Sequence, residues 1–330
     1  MIISRTPFRV SFFGGGTDYP KWFQEHGGVV LSTSIDKYCY ITCRYLPQFF
    51  EHNYRIVYSK IENVRTIDEI VHPAVRAVLG YYHSEKGLEI HHDGDLPARS
   101  GLGSSSSFTV GLINAVKALN GSYISKEELA AQAIDIEQNV IGESVGSQDQ
   151  ISAAFGGFNR IEFLRDGSFQ VTPIILRKDR LHELQDSLML FFTGLSRNAP
   201  EIAQSKIENF KNREAELLRM KEMVAEAITL LQGNGPIADF GRLLHESWQY
   251  KRTLSNKVTT PEVDVIFDIA MANGATGGKL LGAGGGGFVL LFVPPERQAL
   301  IREKLHHLVN VPFRFENSGS LIVLYQPNGL

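Results

Sequence analysis

Pro97-Ala-Arg-Ser-Gly-Leu-Gly-Ser-Ser-Ser-Ser107 is a glycine-spaced loop that runs into four serines. Phe108-Thr-Val-Gly-Leu-Ile-Asn-Ala-Val-Lys-Ala-Leu-Asn-Gly121 follows it, with apolar residues at helical spacing. A glycine- and serine-rich turn at the mouth of a helix offers backbone N–H groups, hydroxyls and the positive end of a helix dipole. That combination suits a phosphate group. A flexible surface turn has the same composition, but a linker is not clamped between a strand and a strongly apolar helix. The loop lacks the Gly-Lys-Ser/Thr ending of a Walker loop, so any nucleotide it holds is held by another architecture.

Outward from the loop, the first half alternates strand and helix signals. Ile2–Phe13 reads as a strand interrupted near Pro7, Gly28–Arg44 and Tyr54–Tyr58 as further strands, and Leu88–Asp93 as a short strand into the loop. Ser125-Lys-Glu-Glu128 is a capping box opening a helix to about Ile141. Ser147-Gln-Asp-Gln150 reads as a second box, opening a short helix that ends at Gly156-Gly157. Strands follow at Phe158–Phe163 and Ser168–Ile175. The second half is more helical. Leu188–Thr193 is an apolar strand, Glu201 to Leu231 one long amphipathic helix, and Ile237–Lys251 and Val263–Asn273 two more. Gly277–Gly287 is glycine-rich, then come a strand at Phe288–Val293, a helix near Glu296–Leu308 and a strand near Ser320–Tyr325. The expected fold class is α+β in two domains, residues 1–175 and 176–330.

At 330 residues the chain can bury a large core, and 43% hydrophobic with 21% charged residues is ordinary for a soluble protein. A net charge of −3 gives no reason to expect nucleic acid or an anionic membrane as partner. No stretch is apolar for long enough to span a bilayer, and Met-Ile-Ile-Ser-Arg-Thr-Pro at the start does not resemble a signal peptide. Cys39 and Cys43 share a strand face with Ile41 and read as buried thiols, since two cysteines alone do not make a metal site. The expected compartment is the cytoplasm.

Four further features bear on chemistry. Glu137 falls on the apolar stripe of the 125–141 helix, with Ala130, Ala133, Ile134, Val140 and Ile141. A carboxylate turned inward must be paired, protonated or bound to a cation; an acid at the stripe's edge, a partner for a buried Arg and a Mg²⁺ ligand all stay open. Asp149 lies in the first turn of its helix, where acids are common for the dipole alone, but where a charged carboxylate can also be aimed into a cleft. Gly14-Gly15-Gly16-Thr17-Asp18 follows a strand and lets a ligand lie against backbone, with Arg9 and Asp18 as polar handles. Gly282-Ala-Gly284-Gly285-Gly-Gly287 formally matches a dinucleotide fingerprint, but it enters a strand and not a helix. Packing against another loop or a phosphate fits it better.

In this order the pieces resemble the GHMP small-molecule kinases over nearly the whole chain. Arg9–Tyr19 resembles the family's substrate motif, Pro97–Ser107 its ATP-phosphate motif and Lys279–Phe288 its third motif. The resemblance implies an N-terminal ribosomal-protein-like βαβ domain, a C-terminal ferredoxin-like domain and an active site between them. It implies ATP and Mg²⁺ as cofactors. Pro97, Ser100, Gly101, Leu102, Gly103, Ser104, Ser105 and Ser106 would then hold the ATP phosphates, and Glu137 with Ser105 the metal, although Ser104 and Ser105 both match the family's serine pair. Asp149 would be catalytic, with Arg9 beside it. Gly14, Gly15, Gly16, Thr17 and Asp18 would meet the substrate.

Galactokinases carry Gly-Glu-His-Thr-Asp in the first motif, and glycines replace the Glu and His here. That form, with Thr193-Gly-Leu-Ser-Arg-Asn198, is most similar to the heptose 7-phosphate kinase subgroup, whose members phosphorylate an anomeric hydroxyl. A fucose-like sugar 1-kinase and a catalytically silent sugar-binding homologue are the alternatives. A phosphorylated substrate needs donors at its far end, for which Arg197, Gly284 and Gly285 are the candidates. The resemblance leaves a homodimer open.

Overall fold

Strands β1 (Ile2–Phe13) and β2 (Gly28–Tyr45) form the spine of the molecule in this computed structural model, which describes residues 1–83, 86–98, 100–195 and 199–327, with the backbone alone at 199 and 200. Their β-branched and aromatic content suits a pleated, buried surface. β1 runs through Pro7 without a break. The missing N–H is absorbed by a register shift against β2 at Pro7/Phe8, and a second shift follows at Ser11/Phe13. Such bulges re-aim the side chains after them, and Arg9 and Ser11 line the cleft described below.

β3 (Tyr54–Val57), β4 (Ile61–Val64), β5 (Leu88–Gly94), β6 (Phe158–Phe163) and β7 (Phe169–Pro173) extend this sheet. The long β2 pairs antiparallel with β6 through Gly28–Thr33 and with β5 through Cys39–Tyr45. β3 runs parallel to β5. The smaller sheet contains β8 (Leu188–Phe192), β9 (Gly277–Leu280), β10 (Phe288–Phe292) and β11 (Val309–Val311) in the antiparallel order β11-β8-β10-β9. With helices between the first and second and between the third and fourth strands, this is the ferredoxin-like arrangement expected.

The chain then returns to the first sheet. β12 (Phe315–Glu316) pairs with β2, and β13 (Leu321–Tyr325) with β1. A linear division at residue 175 therefore does not follow the sheets. The cores also merge. Phe240 packs edge-on to Phe12 at 5.5 Å and Phe13 at 5.2 Å, and meets Phe292 at 6.1 Å, so one aromatic cluster bridges both sheets.

Helices α1 (Pro20–His26), α2 (Pro73–Tyr81), α3 (Ser104–Leu119), α4 (Lys126–Asp135) and α5 (Gln148–Phe155) belong to the first half. α3 is apolar on nearly all sides because it is buried against β1, β2 and its neighbouring helices. Gly111 lets it approach β1 closely: a Cβ there would lie 2.8 Å from Thr6 Oγ1. The Ser125–Glu128 capping box forms. The second box does not. Ser147 accepts from Gln138 Nε2 and gives no cap, while the Gln150 amide turns inward to Glu137. The helix expected to reach Ile141 changes at Ile136–Val140 into a π-turn, with Ile141 N donating to Ile136 O at 2.8 Å.

The second half holds α6 (Lys178–Asp186), α7 (Ala199–Asn209), α8 (Glu214–Gln232), α9 (Ala238–Thr253), α10 (Pro261–Ala272) and α11 (Gln298–Lys304). α7 and α8 were expected as one helix. A 3₁₀ turn at Phe210–Arg213 separates them, because Phe210 is buried between Tyr19 and Trp22 at 5.7 and 6.1 Å and draws the chain inward. The first four residues of the glycine-rich stretch, Gly277–Leu280, form β9, and the glycine loop follows it. Cys39 and Cys43 are buried free thiols, as expected, both pushed up by burial. Among the described residues no helix is long and apolar enough to cross a membrane.

Candidate active site

The loop before α3 is held from behind. Arg9 N donates to Leu102 O at 3.0 Å, and Phe288 N to Ser100 O at 3.1 Å. Gly101 and Gly103 have φ of +86° and +75°, which glycine alone adopts without strain. Gly103 occupies the N-cap of α3 and supplies no side-chain cap, so the first turn, Ser104–Ser106, opens onto the cleft with Gly101 and Gly103. Pro97, Ser100 and Leu102 do not line the cleft: Pro97 is exposed at its rim, and Ser100 and Leu102 point into the core because the loop packs against the third glycine motif. A Cβ on Gly282 would sit 2.4 Å from Gly101 Cα. That motif is thus a packing surface for the phosphate loop.

Arg9 ties three elements together. Its Nε and Nη2 donate to Asp149 Oδ1 and Oδ2, both at 2.7 Å, and its Nη1 to Gly101 O at 2.7 Å. The bidentate pair fixes Asp149, in the first turn of α5, beside the mouth of α3. The Arg9 side chain is 5% exposed and Asp149 26%, so the carboxylate keeps access to a ligand.

Glu137, on the π-turn, is 1% exposed. Its Oε2 accepts from Ser106 Oγ at 2.9 Å and from Gln150 Nε2, while Oε1 is buried without a partner. No cation pairs with it among the described residues, which removes both the solvent-facing and the Arg-paired readings. Burial pushes its carboxyl up to about 7, against the hydrogen bonds from Ser106 and Gln150 and the nearby Thr109 hydroxyl. The serine that reaches Glu137 is Ser106; Ser105, expected as its partner, is exposed on the same helical turn.

In the first motif, Gly14 and Thr17 do structural work. Thr17 Oγ1 bonds Gly14 O and Val29 O, and a Gly14 Cβ would lie 1.9 Å from Val29 O. Gly15, Gly16 and Asp18 line the cleft. Asp18 is 1% exposed and accepts from Gly16 N at 2.8 Å and Gln148 Nε2 at 2.9 Å. Burial raises its carboxyl, and nearby Asp149 adds to the shift.

Gly284 and Gly285 do not reach the cleft. A Gly284 Cβ would meet Val258 O at 2.7 Å, and Gly285 N already donates to Val258 O at 2.8 Å. Arg197 lies outside the described residues.

Three buried lysines that sequence reading missed line the cleft: Lys206 on α7, Lys251 on α9 and Lys279 on β9. Lys251 Nζ donates to Leu280 O and Gly282 O, each at 2.7 Å, and Lys279 Nζ to Phe12 O at 2.6 Å. Burial pushes Lys206 down to about 8 and Lys279 to about 7, with Arg9 adding to the latter; Lys251 is also lowered by burial, with Lys279 adding to the shift. Lys206 and Lys251 sit on the buried stripes of their helices, with Ile202, Ala203 and Phe210 and with Leu244 and Trp248. The argument that singles out Glu137 would have found them.

These shifts carry a pH dependence. A base whose folded value lies below its unfolded one binds fewer protons when folded, so stability rises with pH between the two. Lys279 should add about 1 kcal/mol between pH 7 and 8. Above about pH 9 the buried thiols of Cys39 and Cys43 oppose the trend as their unfolded forms ionise. Urea unfolding of the ligand-free protein at pH 7 and 8 checks this: Lys279→Met should remove that gain, and an unchanged gain would show that folded Lys279 keeps its proton.

The cleft encloses ≈ 890 Å³, room for a nucleotide and a second small molecule. At the end away from Asp18, Tyr58, His72 and Phe108 form an aromatic wall, with His72 stacked on Phe108 at 4.6 Å and Tyr58 edge-on to His72 at 4.8 Å. No group of three or more His, Cys, Asp or Glu poised for a metal occurs among the described residues.

Comparison with known proteins agrees with this geometry. The chain matches the GHMP kinases N terminal domain over residues 69–157 and the GHMP kinases C terminal domain over residues 223–310. It is 31% identical over 319 residues to a D-glycero-alpha-D-manno-heptose 7-phosphate kinase of Campylobacter jejuni, covering 90% of this chain and 91% of that protein. It is 26% identical over 351 residues to an L-fucokinase/L-fucose-1-P guanylyltransferase of Bacteroides fragilis, 94% of this chain but 36% of that longer protein. Its fold superposes with a TM-score of 0.78 and 26% identity on a D-glycero-D-manno-heptose 1-phosphate kinase from Bacteriodes thetaiotaomicron, covering 97% and 98% of the two chains. The chain belongs to the GHMP kinase family and is a sugar kinase of that family, a phosphotransferase with a hydroxyl group as acceptor.

Proposed function

We propose that this kinase transfers the γ-phosphoryl group of ATP to the anomeric hydroxyl of D-glycero-D-manno-heptose 7-phosphate, giving the 1,7-bisphosphate for nucleotide-activated heptose and surface polysaccharide. The observation that carries the reading is the Arg9–Asp149 pair, which stands between the uncapped first turn of α3 and the end of the cleft lined by Gly15, Gly16, Asp18 and Lys206. A phosphate donor on one side and a polyhydroxyl acceptor on the other would meet at Asp149.

The first turn of α3 holds the donor phosphates with its N–H groups and hydroxyls, its dipole opposing their charge. Asp149 orients the acceptor hydroxyl and takes its proton late in the transfer, since a loose transition state needs little early deprotonation. Arg9 keeps Asp149 in place and offsets charge beside it. Asp18 accepts hydrogen bonds from sugar hydroxyls, and the bare backbone of Gly15 and Gly16 leaves room for a ring larger than galactose. Adenine lies against the Tyr58–His72–Phe108 wall. The residues fit Mg²⁺: Glu137 offers an unpartnered buried carboxylate oxygen next to the serine-rich turn that holds Ser105. One carboxylate plus phosphate oxygens is a donor set this ion uses, and when bound it neutralises phosphate charge. On this reading the enzyme works in the cytoplasm.

The similarity to the fucokinase supports a second reading, a 1-kinase for an unphosphorylated sugar. An ATP-consumption screen over sugars and sugar phosphates separates the two. Heptose 7-phosphate should give the highest kcat/KM, and activity on free hexoses alone would overturn the substrate assignment.

A further inference from the structure

Lys206 differs from the other two buried lysines of the cleft in one respect. Lys251 and Lys279 spend their ammonium protons on backbone carbonyls. Lys206 is 4% exposed and lines the cleft, yet among the described residues its Nζ makes no hydrogen bond and no ion pair. Its Nζ stands over the Tyr19 ring, 5.5 Å from the centroid. A buried ammonium with unused donors is costly to keep unless a ligand satisfies it.

Its position says which ligand. Tyr19, Ala203 and Leu254, which share its part of the wall, belong to the acceptor side with Gly16 and Asp18. The carboxylates that act on it are Asp18 and Asp149, and Glu137, beside the phosphate loop, is not among them. Asp18 and Asp149 are already engaged by Gly16 and Gln148 and by Arg9. Gly284, Gly286 and Gly287 of the third glycine loop are packed against Val258, Leu195 and Ser100, and Arg197 lies outside the described residues.

We infer that Lys206 is the residue that binds the anionic group already carried by the acceptor, and so selects a sugar phosphate over the free sugar. The inference rests on the sugar-phosphate reading above. A lysine that is 4% exposed and faces the cleft with its donors unused favours a phosphomonoester over a hydroxyl by charge and donor count together.

The test compares wild type, Lys206→Met and Lys206→Arg on heptose 7-phosphate and on the same heptose without phosphate, with KM for ATP measured in each. In Lys206→Met the KM for the phosphorylated acceptor should rise about 30-fold, the size of one lost hydrogen bond to a charged group. The preference for phosphorylated over free sugar should fall by the same factor. Lys206→Arg should recover part of both, and KM for ATP should stay within about threefold, which also reports an intact fold. If wild type shows no preference for the phosphorylated acceptor, the sugar-phosphate reading falls and takes this role with it. If wild type prefers it and Lys206→Met keeps the preference, or loses both acceptors equally, only the role of Lys206 is wrong. A rise in KM for ATP with acceptor preference intact would move Lys206 to the donor side and overturn the inference.

Discussion

Asp149→Asn lowers kcat by about three orders of magnitude while KM for ATP changes by less than a few-fold. General-base and orienting groups contribute roughly 10²–10⁴ to rate; in the proposed mechanism the Asp149 carboxylate is the proton acceptor, and in the structure it is half of the pair with Arg9. Asn keeps the shape and one acceptor oxygen but loses the charge. Arg9, with a 5% exposed side chain, then becomes a buried cation held only by the Gly101 carbonyl and the remaining amide oxygen. Some stability is therefore lost as well. The donor site is spared because the phosphate loop is anchored through backbone, from Arg9 N to Leu102 O and from Phe288 N to Ser100 O. Steady-state kinetics with both substrates varied, beside a thermal melt, checks this. A kcat within threefold of wild type would remove Asp149 from the transfer step.

Glu137→Gln should separate activity from stability in the opposite way. In the proposed mechanism Glu137 binds the metal with a charge that an amide cannot supply, so kcat should fall by about 10²–10³ and the Mg²⁺ concentration for half-maximal rate should rise. The fold should not suffer. The wild-type carboxylate is buried with no cation beside it and one oxygen unpartnered, which is an unfavourable state for a charge. Gln150, whose own amide oxygen is also unpartnered, can turn over to accept from the new amide. The metal-free variant should melt no lower than wild type. A variant that melts well below wild type and keeps its kcat would make Glu137 a structural acceptor only.

Much of this site was legible because its parts lie in short stretches whose local physics is distinctive. The phosphate loop is a glycine-serine turn before an apolar helix, and both glycines with positive φ in it, Gly101 and Gly103, could be read as such. Glu137 announced itself as an acid on an apolar stripe. Other features depended on partners far away in sequence. Gly282 and Gly287 are small because the phosphate loop packs on them from more than 170 residues upstream, and Gly146 because Asp18 does. Ser147–Gln150 has the pattern of a capping box, but buried Glu137 draws Gln150 away. The split between α7 and α8 follows from Phe210 reaching the Tyr19–Trp22 pocket, which no periodicity within the helix reveals.

By itself the sequence determined the α+β class and singled out the glycine-serine loop before α3 and the residues Arg9, Glu137 and Asp149 as candidates, because backbone freedom at glycines and helix periodicity are local properties. Only the tertiary structure decided that Arg9 clamps Asp149 and that Ser106, not Ser105, reaches Glu137. It also showed the last two strands closing the first sheet and three lysines from α7, α9 and β9 converging on one cleft. A lysine on a helix reads as solvent-exposed until a second element covers it, and its burial, which sets both its charge and its need for a ligand, is a property of the packed whole.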